Sequence, residues 1–249
     1  MKKIILSSIV AISLATAINA DFIGAEAGYA IWNSSLSGDI QKGSGSLDFE
    51  NDLGYGSSET NSFIWAYIDH PLPILPNLKI QKTNYSNDGS GKLDKNVTFD
   101  KKNFTMNENV SSSITLDQVD FIPYWRILDN WINVDLGINV KMIDGNVKVS
   151  SKDTAKSTDA NFDVILPMLY TKARFDLPFT GLSLEADASY ISYDGNKFSD
   201  LKTGIVYETT IGLGATIGYR QQKITLDDID NVYGDLTING AYAGIFYHF

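Results

Sequence analysis

Two histidines, His70 and His248, and a run of carboxylates at Asp227, Asp228 and Asp230 are the side chains with which this chain could do acid–base or metal chemistry. A hydrolase needs a His or carboxylate base within reach of a nucleophile or an activated water. The three aspartates offer hard oxygens of the kind calcium accepts. No Gly-spaced loop and no distal Glu accompanies them, so they read as a solvated turn and no metal site is expected. The glycines at 43, 45, 54 and 56 precede no helical pattern and make no phosphate loop. With no Cys in the chain, disulfides and thiolate metal sites are excluded. The expectation is therefore no cofactor and no enzymatic activity.

A second group of charges is placed by spacing. Glu26, Asp135, Lys141, Glu185, Asp187, Glu208 and Arg220 each sit within a stretch that alternates apolar and polar residues, on the polar side of the alternation. In the clearest stretch Ile132, Val134, Leu136, Ile138, Val140 and Met142 alternate with Asn133, Asp135, Gly137, Asn139 and Lys141. A period of two is that of a strand with unlike faces.

What must position these charges follows from the two ends of the chain. Met1, Lys2 and Lys3 precede an apolar run from Ile4 to Ala17 and then Ile18-Asn19-Ala20, the pattern of a secretory leader cut before Asp21. Residues 1-20 are read as signal peptide and 21-249 as one β domain. Loss of Lys2 and Lys3 with the leader takes the formal net charge from -10 to -12, which leaves no electrostatic reason to bind nucleic acid. No later stretch is long and apolar enough for a spanning helix. An exported chain that crosses lipid without helices must close into a barrel, because every backbone polar group in hydrocarbon needs a partner. The fold expected is an all-β, antiparallel transmembrane β-barrel in the outer membrane.

Strands are expected near 22-33, 60-70, 77-87, 111-126, 131-149, 159-176, 182-193, 201-208, 213-226 and 235-249. That makes ten, with eight or twelve open because the fourth and sixth alternate poorly and the sixth contains Pro167. An even number puts both termini, and with them His70 and His248, at the periplasmic end. Polar segments 34-59 and 88-110 become extracellular loops. Ten strands lie near the size at which side chains fill the interior, so the seven lumen charges are expected to pair and plug it, which implies a structural or surface-interaction role, with a narrow pore or small-ligand conduit as the alternative. Trp65 and Tyr67 are expected in an aromatic girdle at the headgroups.

The terminal segment Tyr242-Ala243-Gly244-Ile245-Phe246-Tyr247-His248-Phe249 resembles the outer-membrane β-signal, with Tyr242, Gly244, Tyr247 and Phe249 at its marked positions. That resemblance implies recognition by the barrel-assembly machinery, and an outer-membrane setting implies lipid and lipopolysaccharide as surroundings. The block Phe63-Ile64-Trp65-Ala66-Tyr67-Ile68-Asp69-His70-Pro71-Leu72-Pro73, with Gly218-Tyr219-Arg220 and the β-signal, resembles an uncharacterised family of proteobacterial outer-membrane β-barrel proteins. The family implies fold and location and carries no established activity. Histidines at the periplasmic end also differ from outer-membrane proteases and lipid A deacylases, whose resemblance would place a His near the outer rim.

Overall fold

A computed structural model describes residues 24–229 and 231–249. The expected leader lies outside the described residues. Fourteen strands follow in order: β1 (Gly24–Ser44), β2 (Leu47–Asp48), β3 (Glu59–Asp69), β4 (Asn77–Asn84), β5 (Ser86–Lys92), β6 (Val97–Phe99), β7 (Lys102–Phe104), β8 (Asn109–Asp129), β9 (Ile132–Ser151), β10 (Ser157–Leu177), β11 (Leu182–Tyr193), β12 (Asn196–Glu208), β13 (Leu213–Ile229) and β14 (Val232–His248). The antiparallel order runs β14-β13-β12-β11-β10-β9-β8-β4-β3-β1, and β14 pairs back onto β1. The sheet is therefore a closed barrel. Since β4 and β5 are two lengths of one stave on β8, it has ten staves. Short β2, β6 and β7 lie beside the far end of β1.

The start of β1 at Gly24 and the end of β14 at His248 lie at one end of the barrel, called here the proximal end. There the connections are tight. At the distal end the staves run well past the expected boundaries: β1 continues to Ser44, and β12 starts at Asn196. Much of 34–59 and 88–110, expected as free loops, is strand or buried cap.

The reason is an inversion of polarity part-way up each long stave. On β9 the outward side chains change from Leu136, Ile138 and Met142 to Asp144 and Lys148, while the inward ones change from Asp135, Asn139 and Lys141 to Ile143, Val147 and Val149. On β1 the outward face passes from Tyr29 and Ile31 to Asn33 and Ser35, and the inward face from Glu26 to Leu36 and Ile40. Period two is kept throughout. What changes is which parity is apolar, so the barrel has a proximal storey that is oily outside and charged inside, and a distal storey that is built like a soluble β-barrel.

The distal storey carries the main hydrophobic core. Trp32, Leu36, Ile114, Val147, Phe198 and Ile238 point in from the staves. Leu47, Phe49, Leu53 and Tyr55 from one connection, with Leu93, Val97, Phe99 and Phe104 from the other, close the end like a stopper. The stopper is pinned by Glu108, which is 4% exposed. Its carboxylate accepts from the Thr105 amide at 2.7 Å and from the Thr105 and Thr154 hydroxyls, both at 3.1 Å. Hydrogen bonds from the Ser151 side chain first, then from the Thr105 amide, hold its pKa down at about 2.

A carboxylate lowered on folding contributes stability that is complete above its unfolded value of about 4.3 and is lost as pH falls towards the folded value. Amide exchange at Thr105 should therefore be slow at pH 6 and accelerate between about pH 4 and pH 2. Glu108→Gln should exchange at one rate across that window once intrinsic rates are divided out. An unchanged wild-type protection factor from pH 6 to pH 2 would contradict this role for Glu108.

Candidate functional site: the lumen

Inward residues of the proximal storey form three layers. In the uppermost, β13 delivers Arg220 and Gln222, β12 Asp200, β9 Asn139 and Lys141, and β8 Gln118 and Asp120. Arg220 and Lys141 have no exposed surface. Arg220 donates from Nε and Nη2 to the two oxygens of Asp200 at 3.0 and 2.7 Å, and from Nη1 to Thr83 Oγ1 at 3.0 Å. Lys141 lies 2.8 Å from Asp120 and 3.2 Å from Asp200, and donates to Gln118 at 3.0 Å. Gln222 donates to Gln118 and to Asp200, both at 2.8 Å, and Asn139 to Asp120 at 2.7 Å. Two cations face two carboxylates, and amides occupy much of the remaining hydrogen-bonding capacity. A buried polar network of this kind is stable only when nearly complete.

The middle layer again has balanced charge. Lys79 pairs with Asp187, which also accepts from Tyr170 at 3.2 Å and lies 3.6 Å from Lys202. Lys172 lies 3.0 Å from Glu185 and 4.4 Å from the centre of the Tyr67 ring, a cation–π contact. Trp65 donates its indole N–H to Glu26 at 2.7 Å.

Below, the lumen widens into a blind cup of about 220 Å³ that opens at the proximal end. Arg126 bridges Asp69 and Asp135 at 2.9 and 3.1 Å in its wall, and Arg174 lies 2.8 Å from Asp176 and 3.5 Å from Glu208. His248 Nδ1 is 3.0 Å from Glu208.

All seven charges singled out in the sequence, Glu26, Asp135, Lys141, Glu185, Asp187, Glu208 and Arg220, are on inward faces. The structure spreads them over the three layers instead of gathering them into one. Sequence reasoning missed Lys79, Asp120, Lys172 and Asp200. Asp200 lay just outside the strand read as 201-208, yet it shares parity with Lys202, Val206 and Glu208, and that parity was the available signal.

Trp65 and Tyr67 are not in a girdle. They take the parity of Asp69 and turn inward, while Ile64, Ala66 and Ile68 face out. Of the terminal positions, Tyr242 points in against Phe63 with ring centres 5.6 Å apart. Gly244 lies against Ala30, and Tyr247 packs its ring outside on Phe249 with centres 4.7 Å apart. His70 is held in its turn by the Pro76 carbonyl at 3.1 Å. Asp227 and Asp228 are exposed at the end of β13, and Asp230 lies outside the described residues. Among the described residues no cluster of His, Asp and Glu is arranged to hold a metal ion.

A closed antiparallel barrel, apolar outside and ion-paired within, is the fold of outer-membrane β-barrel proteins, and this chain has it. Among solved structures it is similar to the outer membrane protease OmpT from Escherichia coli, with a TM-score of 0.57 and 10% identity over 95% of this chain and 99% of that one. It is also similar to the translocator domain of the autotransporter NalP from Neisseria meningitidis, with a TM-score of 0.47 and 13% identity over 91% and 88% of the two chains. At 10% identity the likeness to the protease structure is one of fold alone. By sequence, no family and no curated protein matches.

Proposed function

We propose that this chain is an integral outer-membrane protein whose lumen is sealed to solutes and which acts through the surface that its distal storey holds outside the cell. The observation that carries the reading is the double closure. A fully buried, charge-balanced layer around Lys141, Asp200 and Arg220 crosses the lumen, and above it lies an apolar core headed by Trp32. Ions crossing this path would have to break buried pairs and then enter hydrocarbon-like packing. In this reading lipid meets the outward Leu136, Ile138 and Met142, lipopolysaccharide surrounds the level at which Asp144 replaces them, and the assembly machinery takes β14. The cup at the proximal end supports a second reading, a niche for a small periplasmic solute, because the lumen there holds about 220 Å³ of space lined by charged side chains.

Planar-bilayer recording decides the first point. Protein shown by heat-dependent gel mobility to be folded should give no discrete conductance steps, and neutralising Asp135 in the cup or Glu185 in the layer above it should leave the trace silent. Steps that change size with those substitutions would overturn the sealed-lumen reading.

A further inference from the structure

The distal rim is not level. Between the tall β10 and β13 the hairpin of β11 and β12 stops early, at a two-residue turn of Asp194 and Gly195 with φ of 48° and 82° closing the Tyr193–Asn196 pair. Positive φ at both central residues makes this a type I′ turn, so the hairpin ends there by design of its sequence. Pairing between β10 and β11 reaches only Leu169 with Tyr190. From Ser157 to Met168, β10 has β9 on one side, and among the described residues no strand lies on the other.

The two lips of this notch differ. On the β13 side the edge is capped, because Asn196 accepts from the Asp227 amide at 2.8 Å and donates to the Asp227 carbonyl at 3.3 Å. On the β10 side it is bare. Through the gap the apolar interior is accessible: Phe162 lies flat over Gly145, where a Cβ would meet its ring at 2.1 Å, and remains 43% exposed. Val164 and Leu166 beside it are half-buried.

We propose that the free edge of β10 is a docking site for an extended peptide of a partner protein, which adds a strand to the barrel wall and sets alternate apolar side chains on Phe162, Val164 and Leu166. A bare edge offers unpaired backbone donors and acceptors, and strand addition satisfies them. The chemistry of the outward side chains selects the partner. Asp159 and Asp163 stand on the outer face of the same edge, with Asp144 paired beside Asp163. A second copy of this chain docking edge to edge would set carboxylates against carboxylates, which directly opposed strands penalise. A peptide that alternates apolar with basic residues meets both faces. This inference rests on the surface-interaction reading for its meaning in the cell. The test uses folded protein in detergent, so it can fail while the sealed lumen stands.

The probe is a fluorescent octapeptide of alternating valine and lysine, measured by anisotropy against the heat-modifiable barrel. Saturable binding is expected, with amide exchange slowed between residues 157 and 168. Methylating the peptide nitrogens along either edge in turn should leave one of the two products at least tenfold weaker. Phe162→Asp should weaken binding at least tenfold, and the exposed double change Asp159→Lys with Asp163→Lys should do the same while transferring preference to a valine–glutamate peptide. Equal binding of both methylated peptides, or no effect of the charge reversal, would overturn the proposal. So would concentration-dependent self-pairing through β10 without peptide binding.

Discussion

Asp200→Ala should cost the folded barrel about 3–5 kcal/mol, the usual penalty for removing one partner of a buried ion pair. Asp200 is the carboxylate shared by both fully buried cations of the upper lumen layer, at 2.7 Å from Arg220 and 3.2 Å from Lys141. Without it Lys141 keeps Asp120, whereas Arg220 keeps the Thr83 hydroxyl as a hydrogen-bond partner and the Trp32 and Phe63 ring faces, with no carboxylate bonded to it. The unpaired guanidinium, more than the lost attraction, sets the size of the effect. Asp200→Leu with Arg220→Met removes both charges and should recover most of the loss, since well-packed apolar pairs replace buried ion pairs at little cost. Urea unfolding in lipid vesicles gives both numbers. A single-mutant loss below about 1 kcal/mol would mean that water reaches Arg220, and the seal would then be no seal.

Trp32→Ala should cost a similar amount, about 3–5 kcal/mol, and its effect should be confined to one storey. Trp32 is fully buried where the charged layer meets the distal core. Its ring centre lies 4.9 Å from the Arg220 guanidinium and 6.1 Å from that of Tyr85, and its N–H donates to the Gly240 carbonyl at 3.2 Å. Truncation removes the largest buried side chain from that junction, and the strands around it are too well paired to collapse into the space. Trypsin should then cut within residues 93–108 at urea concentrations where heat-dependent gel mobility still reports a closed barrel. If barrel closure and tryptic resistance are lost together, the two storeys are one cooperative unit and the confinement argument is wrong. Combined with Arg220→Met the losses should fall short of additive, because the two side chains stack.

The proximal storey was legible in the sequence because Leu136, Ile138 and Met142 follow a simple rule with Asp135 and Lys141 between them. Ten staves and tight proximal turns follow from that rule. The distal storey was hidden by the same rule. When apolar residues change parity between Met142 and Ile143, the pattern looks like a strand that has ended, so Asp144 to Ser151 was harder to face correctly and Ser34 to Ser44 read as loop. Trp65 and Tyr67 misled for a related reason. Aromatic character suggested the headgroups, whereas their parity with Asp69 was the physically binding fact. Asp200, the hub of the lumen, fell outside because the β12 boundary was drawn at the last lipid-type residue, Leu201.

The polarity inversion also sets the kinetics of getting into and out of a bilayer. Asp117, Asp144 and Asp163 stand directly abreast on the outer faces of β8, β9 and β10. To reach the far side these carboxylates must pass through hydrocarbon, and to leave it they must pass back. The protein is therefore ratcheted: unassisted entry should slow steeply as the bilayer thickens, and once across, the barrel is held in place by the height of that barrier as well as by the depth of its free-energy minimum.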